Sequence, residues 1–529
     1  MKKRYLFFAF VILTLLGCNK ETDLSGIEQE LADLRNKNKE LQNEIDDMKK
    51  PIPADPVLEY LNFLAQDNPS QLSADVKGEI IGDSIVECWV PHIMSDKELV
   101  ADLKFVGEQV KFNGSSVQSR STKYDFKKPV KLTITNQTKS KEYTVYVHAF
   151  TGLPVLWINT VNREPIASRE EYVEASFKLV EDVRTRAAGD VIETSMLIKG
   201  RGNSNWTSPK KPYRLKLETE YPLFGLHKDK AWVLMGNYFD KTMLRTNTAF
   251  YMGSISNLDY TPKAHYVELM LNGRYNGTYM LCEKLKRSKH RVDVGDDGFL
   301  LEVDAVAKDD DVTFRTNHLK HPINIKSPSV EAGDDDYNYI KNFVLKAESA
   351  LFSDNFKDSS EGWQKYMDID SFVEWYLINE IAKNNDALFY SSCYMNLTRD
   401  GKLKMGPIWD YDIAFGNIDY NNNFRADGFW VKTTTWYSRL FEDPAFVEKV
   451  KERFKFFYSH KEDIYRDMAE NAVYLKQAVV ENENRWGTLY TETWPNYDIW
   501  GNYNNEVQSM KEWLEERFDW LNYQFTYKF

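Results

Sequence analysis

Three aspartates, Asp386, Asp410 and Asp412, leave this chain few ways to fold around them. They bracket a helix–strand–strand pattern that brings them together, and like charges brought together cost free energy unless a cation or a proton relieves them. Ser371 reads as a helix N-cap, and Val373, Tyr376, Leu377 and Ile381 follow at the 3–4 residue spacing of one buried face. The helix is expected to end near Asn384-Asn385, with Asp386 in a short connection. Leu388–Leu397 (LFYSSCYMNL) then reads as a strand, Arg399-Asp400-Gly401-Lys402 as a turn and Leu403–Trp409 as the returning strand. Asp410 and Asp412 fall at its far end, where side chains at i and i+2 share a face roughly 6.5–7 Å apart. That spacing suits oxygen ligands around a hard cation, Mg2+ or Mn2+. Taken singly, Asp386 suits a turn and the other two suit a capped loop; taken together, flanked by Trp409 and Tyr411, they favour the metal.

Several ordered motifs carry a resemblance. They are Lys199–Trp206 (KGRGNSNW), Lys210–Leu217 (KKPYRLKL), Trp232–Arg245 (WVLMGNYFDKTMLR), Val267–Tyr279 (VELMLNGRYNGTY), Glu283-Lys284, Gly298–Asp304 (GFLLEVD) and Trp409–Gly416 (WDYDIAFG). Over about residues 155 to 529 the chain resembles the spore-coat CotH kinase-like family of atypical protein kinases. The resemblance implies an α+β, protein-kinase-like catalytic domain using ATP and Mg2+. It implies a catalytic role for Asp386 and a metal-binding role for Asp410, with Asp412 in support.

The cations such a site needs lie upstream. In Pro212–Leu217, Arg214 and Lys216 share one strand face while Leu215 and Leu217 share the other. Arg201 sits in a Gly-Arg-Gly turn where backbone can approach a ligand. A solvated sheet face is the plainer account of these cations. A nucleotide held between them and the carboxylates is the sharper one. In it Lys216 fills the role of a kinase strand lysine, with Arg201 and Arg214 assisting.

The ends of the chain are readable on their own. Lys2-Lys3-Arg4 precedes an apolar run, Tyr5–Leu16, that is too short to span a bilayer and has the length of a signal core. It closes on Leu15-Leu16-Gly17-Cys18, which resembles a bacterial lipobox. Residues 1–18 are therefore read as a lipoprotein signal, with Cys18 lipidated, in the manner of Bacteroidetes surface lipoproteins. The expected location is a bacterial membrane, the outer one, on its periplasmic or external face. Residues 24–50 read as a coiled-coil stalk with a positions 24, 31, 38 and 45 and d positions 27, 34, 41 and 48. Asn38 at an a position fixes register and favours two parallel strands, so a homodimer is expected; a solvated helical spacer is the plainer alternative. Lys49-Lys50-Pro51-Ile52-Pro53 ends the helix as a hinge.

Residues 56–150 alternate apolar and polar in short runs and read as an all-β, immunoglobulin-like sandwich without chemistry of its own. Its boundary falls near Thr151–Pro154. Further on, Tyr266–Cys282 reads as a hairpin with Asn272-Gly273 at the tip. Glu268 and Glu283 beside it are ambiguous, and Lys284–Arg291 (KLKRSKHR) suits either a solvated loop or one facing phosphate or substrate. Val507, Met510, Trp513, Leu514, Phe518 and Leu521 share one helix face. Trp486, Tyr490, Trp494, Tyr497 and Trp500 are aromatic enough to stack sugars, although core packing is the plainer fate of most.

A net charge of −12 without any basic, aromatic-interleaved stripe argues against a nucleic-acid partner. Cys88, Cys282 and Cys393 fit neither a zinc spacing nor a disulfide framework. The chain lacks a Walker A motif and a His-Glu-x-x-His motif, which removes P-loop NTPases and zincins. It also lacks a His-Arg-Asp loop and a glycine-rich lid, and Ser391 stands where protein kinases keep a metal-binding Asn. The reading reached is a lipid-anchored kinase-like protein that transfers phosphoryl from Mg-ATP to a protein hydroxyl. Its alternative is an inactive surface binding or assembly module, cation-stabilised and glycan-binding.

Overall fold

Strict alternation in the strand Tyr213–Tyr221 sets the architecture of the middle of the chain: Leu215 and Leu217 point into a core and Lys216 points to solvent. The computed structural model describes residues 24–48, 54–90, 97–181, 191–308 and 311–529. The signal segment with Cys18 and the Lys49–Pro53 hinge lie outside the described residues.

Seven strands close into a barrel. In spatial order they are Val155–Thr160, Val173–Val180, Val191–Gly200, Tyr213–Tyr221, Asp229–Met235, Arg274–Glu283 and Ala264–Leu271. The first closes on the last in parallel, with Val155 opposite Glu268. Leu156, Phe177, Ile198, Leu215, Trp232 and Leu269 are among the side chains that fill it. Closure leaves no unpaired edge, which an open sheet would have to cover. The hairpin forms as read: Asn272 and Gly273 both adopt left-handed φ, +53° and +83°, the geometry of a type I′ turn.

Upstream, residues 57–149 form β-sheets around a separate core of Leu61, Phe63, Val86, Leu132 and Val145. One pairing is parallel. The strand Lys139–Ala149 outruns its hairpin partner Val130–Asn136 and carries on beside Ile85–Val90. A buried charged clamp ties this part to the helix Lys461–Trp486. From that helix Glu481 accepts from Lys97 Nζ (2.6 Å) and Ala149 N (3.2 Å), and it lies 3.3 Å from His148, whose other ring nitrogen is 2.7 Å from Glu87.

Downstream, a five-stranded sheet runs in the order Thr313–Arg315, Pro322–Ser327, Phe299–Val303, Cys393–Leu397, Lys404–Met405. Helices Asp335–Leu351, Ile369–Ala382, Pro444–Ser459, Lys461–Trp486 and Tyr503–Tyr527 share one core with it. The whole is α+β. In the last helix Met510, Leu514, Phe518 and Leu521 are buried, the face read from the sequence.

Two local expectations need correction. The N-cap of Ile369–Ala382 is Asp368, whose carboxylate accepts from Ser371 N at 2.8 Å; Ser371 lies inside the first turn. The helix is also buried on every side, because Glu374 and Glu380 pair with Arg453 and Arg517. At the other end of the chain, Leu24–Met48 is one helix on which Ile27, Leu31, Leu34, Leu41 and Ile45 are exposed. Among the described residues no helix is long and apolar enough to cross a membrane.

Candidate functional site: an acidic cleft facing a basic wall

The helix Ile369–Ala382 ends at Lys383, which turns left-handed (φ +48°) and spends its ammonium on the carbonyls of Asn422, Arg425 and Asp427. Asp386 follows in the single turn Asn385–Ala387. Its Oδ1 accepts from Asn385 Nδ2 and its Oδ2 from Ser391 Oγ, both at 3.4 Å. Asn385 is held in turn by the amides of Asn421 (2.9 Å) and Asn423 (3.3 Å).

The strands meant to deliver the other two aspartates are shorter than read. Pairing covers only Cys393–Leu397 and Lys404–Met405. The chain then leaves the sheet, and Asp410 takes φ +65° in a loop, so Asp410 and Asp412 do not share a strand face. Asp tolerates the left-handed region better than most residues, yet a non-glycine residue there is strained and persists only where its surroundings dictate it. Here they do: Asn384 Nδ2 donates to Asp410 O, and the Tyr411 hydroxyl donates to Asn379 Oδ1 at 2.9 Å.

Burial governs the acidity of all three. It pushes Asp386 up to about 6, with the Asp410 charge adding to it and the Asn385 and Ser391 hydrogen bonds opposing. It also raises Asp410, against the pull of Arg201 and a hydrogen bond from Ser392. Asp412 is pushed up to about 8, first by burial and then by Asp410, with the Asn205 amide opposing. The three are thus coupled through their fields. Among the described residues, however, no three His, Cys, Asp or Glu side chains gather as a metal-binding group.

Opposite lies a basic wall. Arg201 stacks its guanidinium over the Trp409 ring, 5.4 Å from the centroid. Lys284, directly after the barrel strand Arg274–Glu283, is lowered to about 7 by burial and then by the crowding of Arg214, Lys286, Arg291 and Lys326. Its carbonyl accepts from Arg291 Nη1 at 2.6 Å, and its ammonium has no hydrogen-bond or ion-pair partner among the described residues. Lys326 pairs with Glu302 at 3.1 Å, and Glu302 also accepts from Ser392 N at 3.2 Å, which connects the wall to the loop beside Asp410.

Arg201 and Arg214 therefore face the cleft region, whereas Lys216 is exposed on the outer barrel surface. The strand's alternation that placed Lys216 beside Arg214 was right; the site draws instead on the end of the hairpin strand. Lys284 belongs to the stretch read as either a solvated loop or one facing phosphate or substrate; Asn205, Glu302, Lys326 and Ser392 escaped the sequence reading, although Asn205, Glu302 and Ser392 lie within segments it quoted. The ambiguous glutamates prove structural. Glu283 accepts from Tyr260 OH and Lys263 N, and Glu268 from Thr151, Tyr275 and Thr278. The basic stretch after Glu283 is pinned as well, with Lys286 on Asp229, Arg287 on Gly298 O and Arg291 on Ala231 O.

The chain belongs to the CotH kinase protein family, whose model matches residues 198–521. A search of curated proteins finds no match. Among solved structures, a protein from Bacteroides thetaiotaomicron described as a candidate glycoside hydrolase is similar at 11% identity and a TM-score of 0.17. That likeness covers 56% of this chain and 88% of the other. Kinase-family membership implies nucleotide and divalent-metal use in general terms. The donors present fit a hard cation: Asp410 and Asp412 are buried carboxylates lacking charge compensation beyond Arg201. Mg2+ commonly takes only one or two carboxylates and fills its shell with water and substrate phosphates.

Proposed function

We propose that the protein is an atypical kinase that moves the γ-phosphoryl group of ATP to an acceptor hydroxyl. One observation carries this reading: Asp410 and Asp412 adjoin a group of cations, with Arg201 over the Trp409 ring beside Asp410 and Lys326 tied through Glu302 to Ser392, near Lys284, whose ammonium is unpartnered among the described residues. Charges of each sign are costly when buried, and a metal-bound polyphosphate satisfies both. Lys284, with Arg214, Lys326 and Arg201, holds phosphate oxygens, and Lys284 takes the strand-lysine role first expected of Lys216. Asp410 and Asp412, steadied by Asn205, would hold Mg2+ or Mn2+, which when bound neutralises phosphate charge. Asp386, poised at about 6, accepts the hydroxyl proton as the acceptor oxygen attacks. We further propose that a lipid on Cys18 anchors the chain to a bacterial membrane and that the heptad stripe of the helix Leu24–Met48 pairs two copies. Loss of lipid labelling in Cys18→Ser checks the anchor.

Calorimetric titration of ATP with and without Mg2+ tests the core of the reading. Wild-type protein is expected to bind ATP·Mg2+. Asp410→Asn is expected to weaken metal and nucleotide binding together, and Lys284→Met to weaken nucleotide binding roughly tenfold or more, as loss of a charge-assisted contact does. Wild-type protein that binds no nucleotide would refute the kinase and favour the binding module.

A further inference from the structure

The aromatic stretch singled out in the sequence does not go into the core. Trp486 is held by its indole N–H on Asn276 O at 2.9 Å, but Tyr490, Trp494, Tyr497 and Trp500 are exposed. Three contacts join this stretch to the acidic cleft. Asp419 N donates to Pro495 O at 3.0 Å. Tyr420 stacks on Trp494 with centroids 6.0 Å apart, and Phe424 lies flat on Tyr497 at 4.3 Å. The same loop reaches the aspartate through its amides: Asn421 and Asn423 donate to Asn385 Oδ1, and Asn385 donates to Asp386. Tyr390, 54% exposed, belongs to the segment that follows Asp386. A rim of rings, Tyr390–Tyr420–Trp494, thus leads out from the residue placed as proton acceptor.

The groups between the rings are neutral or acidic. Asn421 and Asn422 are exposed in left-handed backbone, and Asp419 and Asp498 are exposed nearby. The cations here are already committed. Arg425 forms a two-pronged pair with Asp427 (2.8 and 2.9 Å), and Lys383 is bound to three carbonyls. Trp494 is 66% exposed, and its indole N–H has no partner among the described residues.

We propose that this rim docks a neutral carbohydrate and that the acceptor hydroxyl is a sugar hydroxyl; the inference rests on the kinase reading above. A pyranose offers a flat C–H face to an aromatic ring and hydroxyls at its edge to amides and carboxylates, which is the mixture present. An acidic or phosphorylated ligand would need uncommitted cations, which the rim lacks among the described residues; peptides are left to the test below. In the transfer, the sugar C–O–H oxygen forms a bond to the γ-phosphorus. The bond from that phosphorus to the β,γ-bridging oxygen breaks, nucleoside diphosphate leaves, and the hydroxyl proton passes to Asp386.

The full chain is tested on arrays of neutral gluco-, xylo-, manno- and galacto-oligosaccharides and of unmodified peptides, with ATP binding measured separately. Labelled phosphate from γ-32P ATP is then followed into whichever ligand binds. An oligosaccharide is expected to be captured and labelled. Trp494→Ala should weaken its capture about tenfold, the scale of one lost aromatic stack. Tyr490→Ala, exposed but without a contact to the cleft, should leave capture at the wild-type level. Intact ATP binding with no oligosaccharide captured, or capture indifferent to Trp494→Ala, overturns the proposal and spares the kinase. Labelling confined to peptides also overturns it. A chain that binds oligosaccharide but no nucleotide overturns the kinase reading, and with it the acceptor role assigned here.

Discussion

The clamp around Glu481 and the cleft around Asp410 both take charge out of water, and they handle it in opposite ways. At the clamp every group has a partner: Glu481 meets Lys97, His148 and the Ala149 N–H, and His148 meets Glu87. The result is a structural joint between the upstream β-sheets and the helix Lys461–Trp486. In the cleft the balance is left open. Asp410 raises Asp412, Asp386 adds to the same field, and Lys284 is crowded by Arg214, Lys286, Arg291 and Lys326. Burial alone therefore does not mark function. Burial with the compensation left out does, because something brought from solution must supply it.

The largest effect that would break this contrast lies in the cleft. Asp386→Asn keeps the shape and removes the proton acceptor, so phosphoryl transfer is expected to fall by roughly 10²–10⁴-fold while ATP affinity holds. Single-turnover transfer beside calorimetry reads both. Transfer within twofold of wild type would remove Asp386 from the chemistry.

Next in size is the clamp. Glu481→Gln leaves Lys97 buried against a neutral amide, and breaking a buried pair from one side costs about 3–5 kcal/mol. Denaturant unfolding should show that loss. The clamp also has a pH signature. Burial opposes a charged His148, but its hydrogen bonds to the Glu481 and Glu87 carboxylates outweigh it and raise the histidine. Its contribution is complete below the unfolded value of about 6.5 and fades as pH rises through the raised folded value. Glu481 is lowered: burial works against its charge, while His148 and Lys97 prevail, so its contribution fades as pH falls below about 4.5. The other groups facing His148 are Trp89, Tyr146 and Tyr275, with Arg274 on Glu87. Melting temperature should therefore decline from about pH 6.5 upward in wild type and less so in His148→Gln.

What the sequence revealed and concealed follows the same division. Periodicity is local, so the alternation at Leu215 and Leu217, the Asn272-Gly273 turn and the stripe of the last helix were all legible. Compensation is not local. The helix Ile369–Ala382 was read with one buried face, and its burial on every side stayed hidden because the arginines that pair with Glu374 and Glu380, Arg453 and Arg517, come from 79 and 137 residues away. Lys284 looked like one of several loop cations; only the approach of Arg214 and Lys326 makes it the crowded one. Asp410 and Asp412 were recognised by type, yet placed on a strand, since nothing in Ile408-Trp409 announces a left-handed turn.

A smaller effect sharpens the contrast. If the cleft is destabilised by its own charges, Asp412→Asn should stabilise the nucleotide-free protein by about 1 kcal/mol, as relief of a strained functional site commonly does. The same substitution should weaken ATP·Mg2+ binding. A melting temperature that falls instead would mean the cleft is built like the clamp.

The smallest expected effect concerns the first helix, where a polar group is set against apolar ones for a third reason. Ile27, Leu31, Leu34, Leu41 and Ile45 are exposed on Leu24–Met48, with Asn38 in the same register. Paired with a second copy, that stripe is covered, and an amide at one a position gives up stability to hold two strands in register. Fewer than four heptads make a weak seam, so association should be concentration-dependent and strongest where a membrane gathers the chains. Sedimentation equilibrium on residues 19–529 should show a monomer–dimer equilibrium that disappears when 24–48 are deleted. Asn38→Leu should tighten association and admit higher oligomers, because the buried amide no longer selects against them. A monomer at every concentration, with or without the segment, would leave the helix as a spacer and the stripe simply wet.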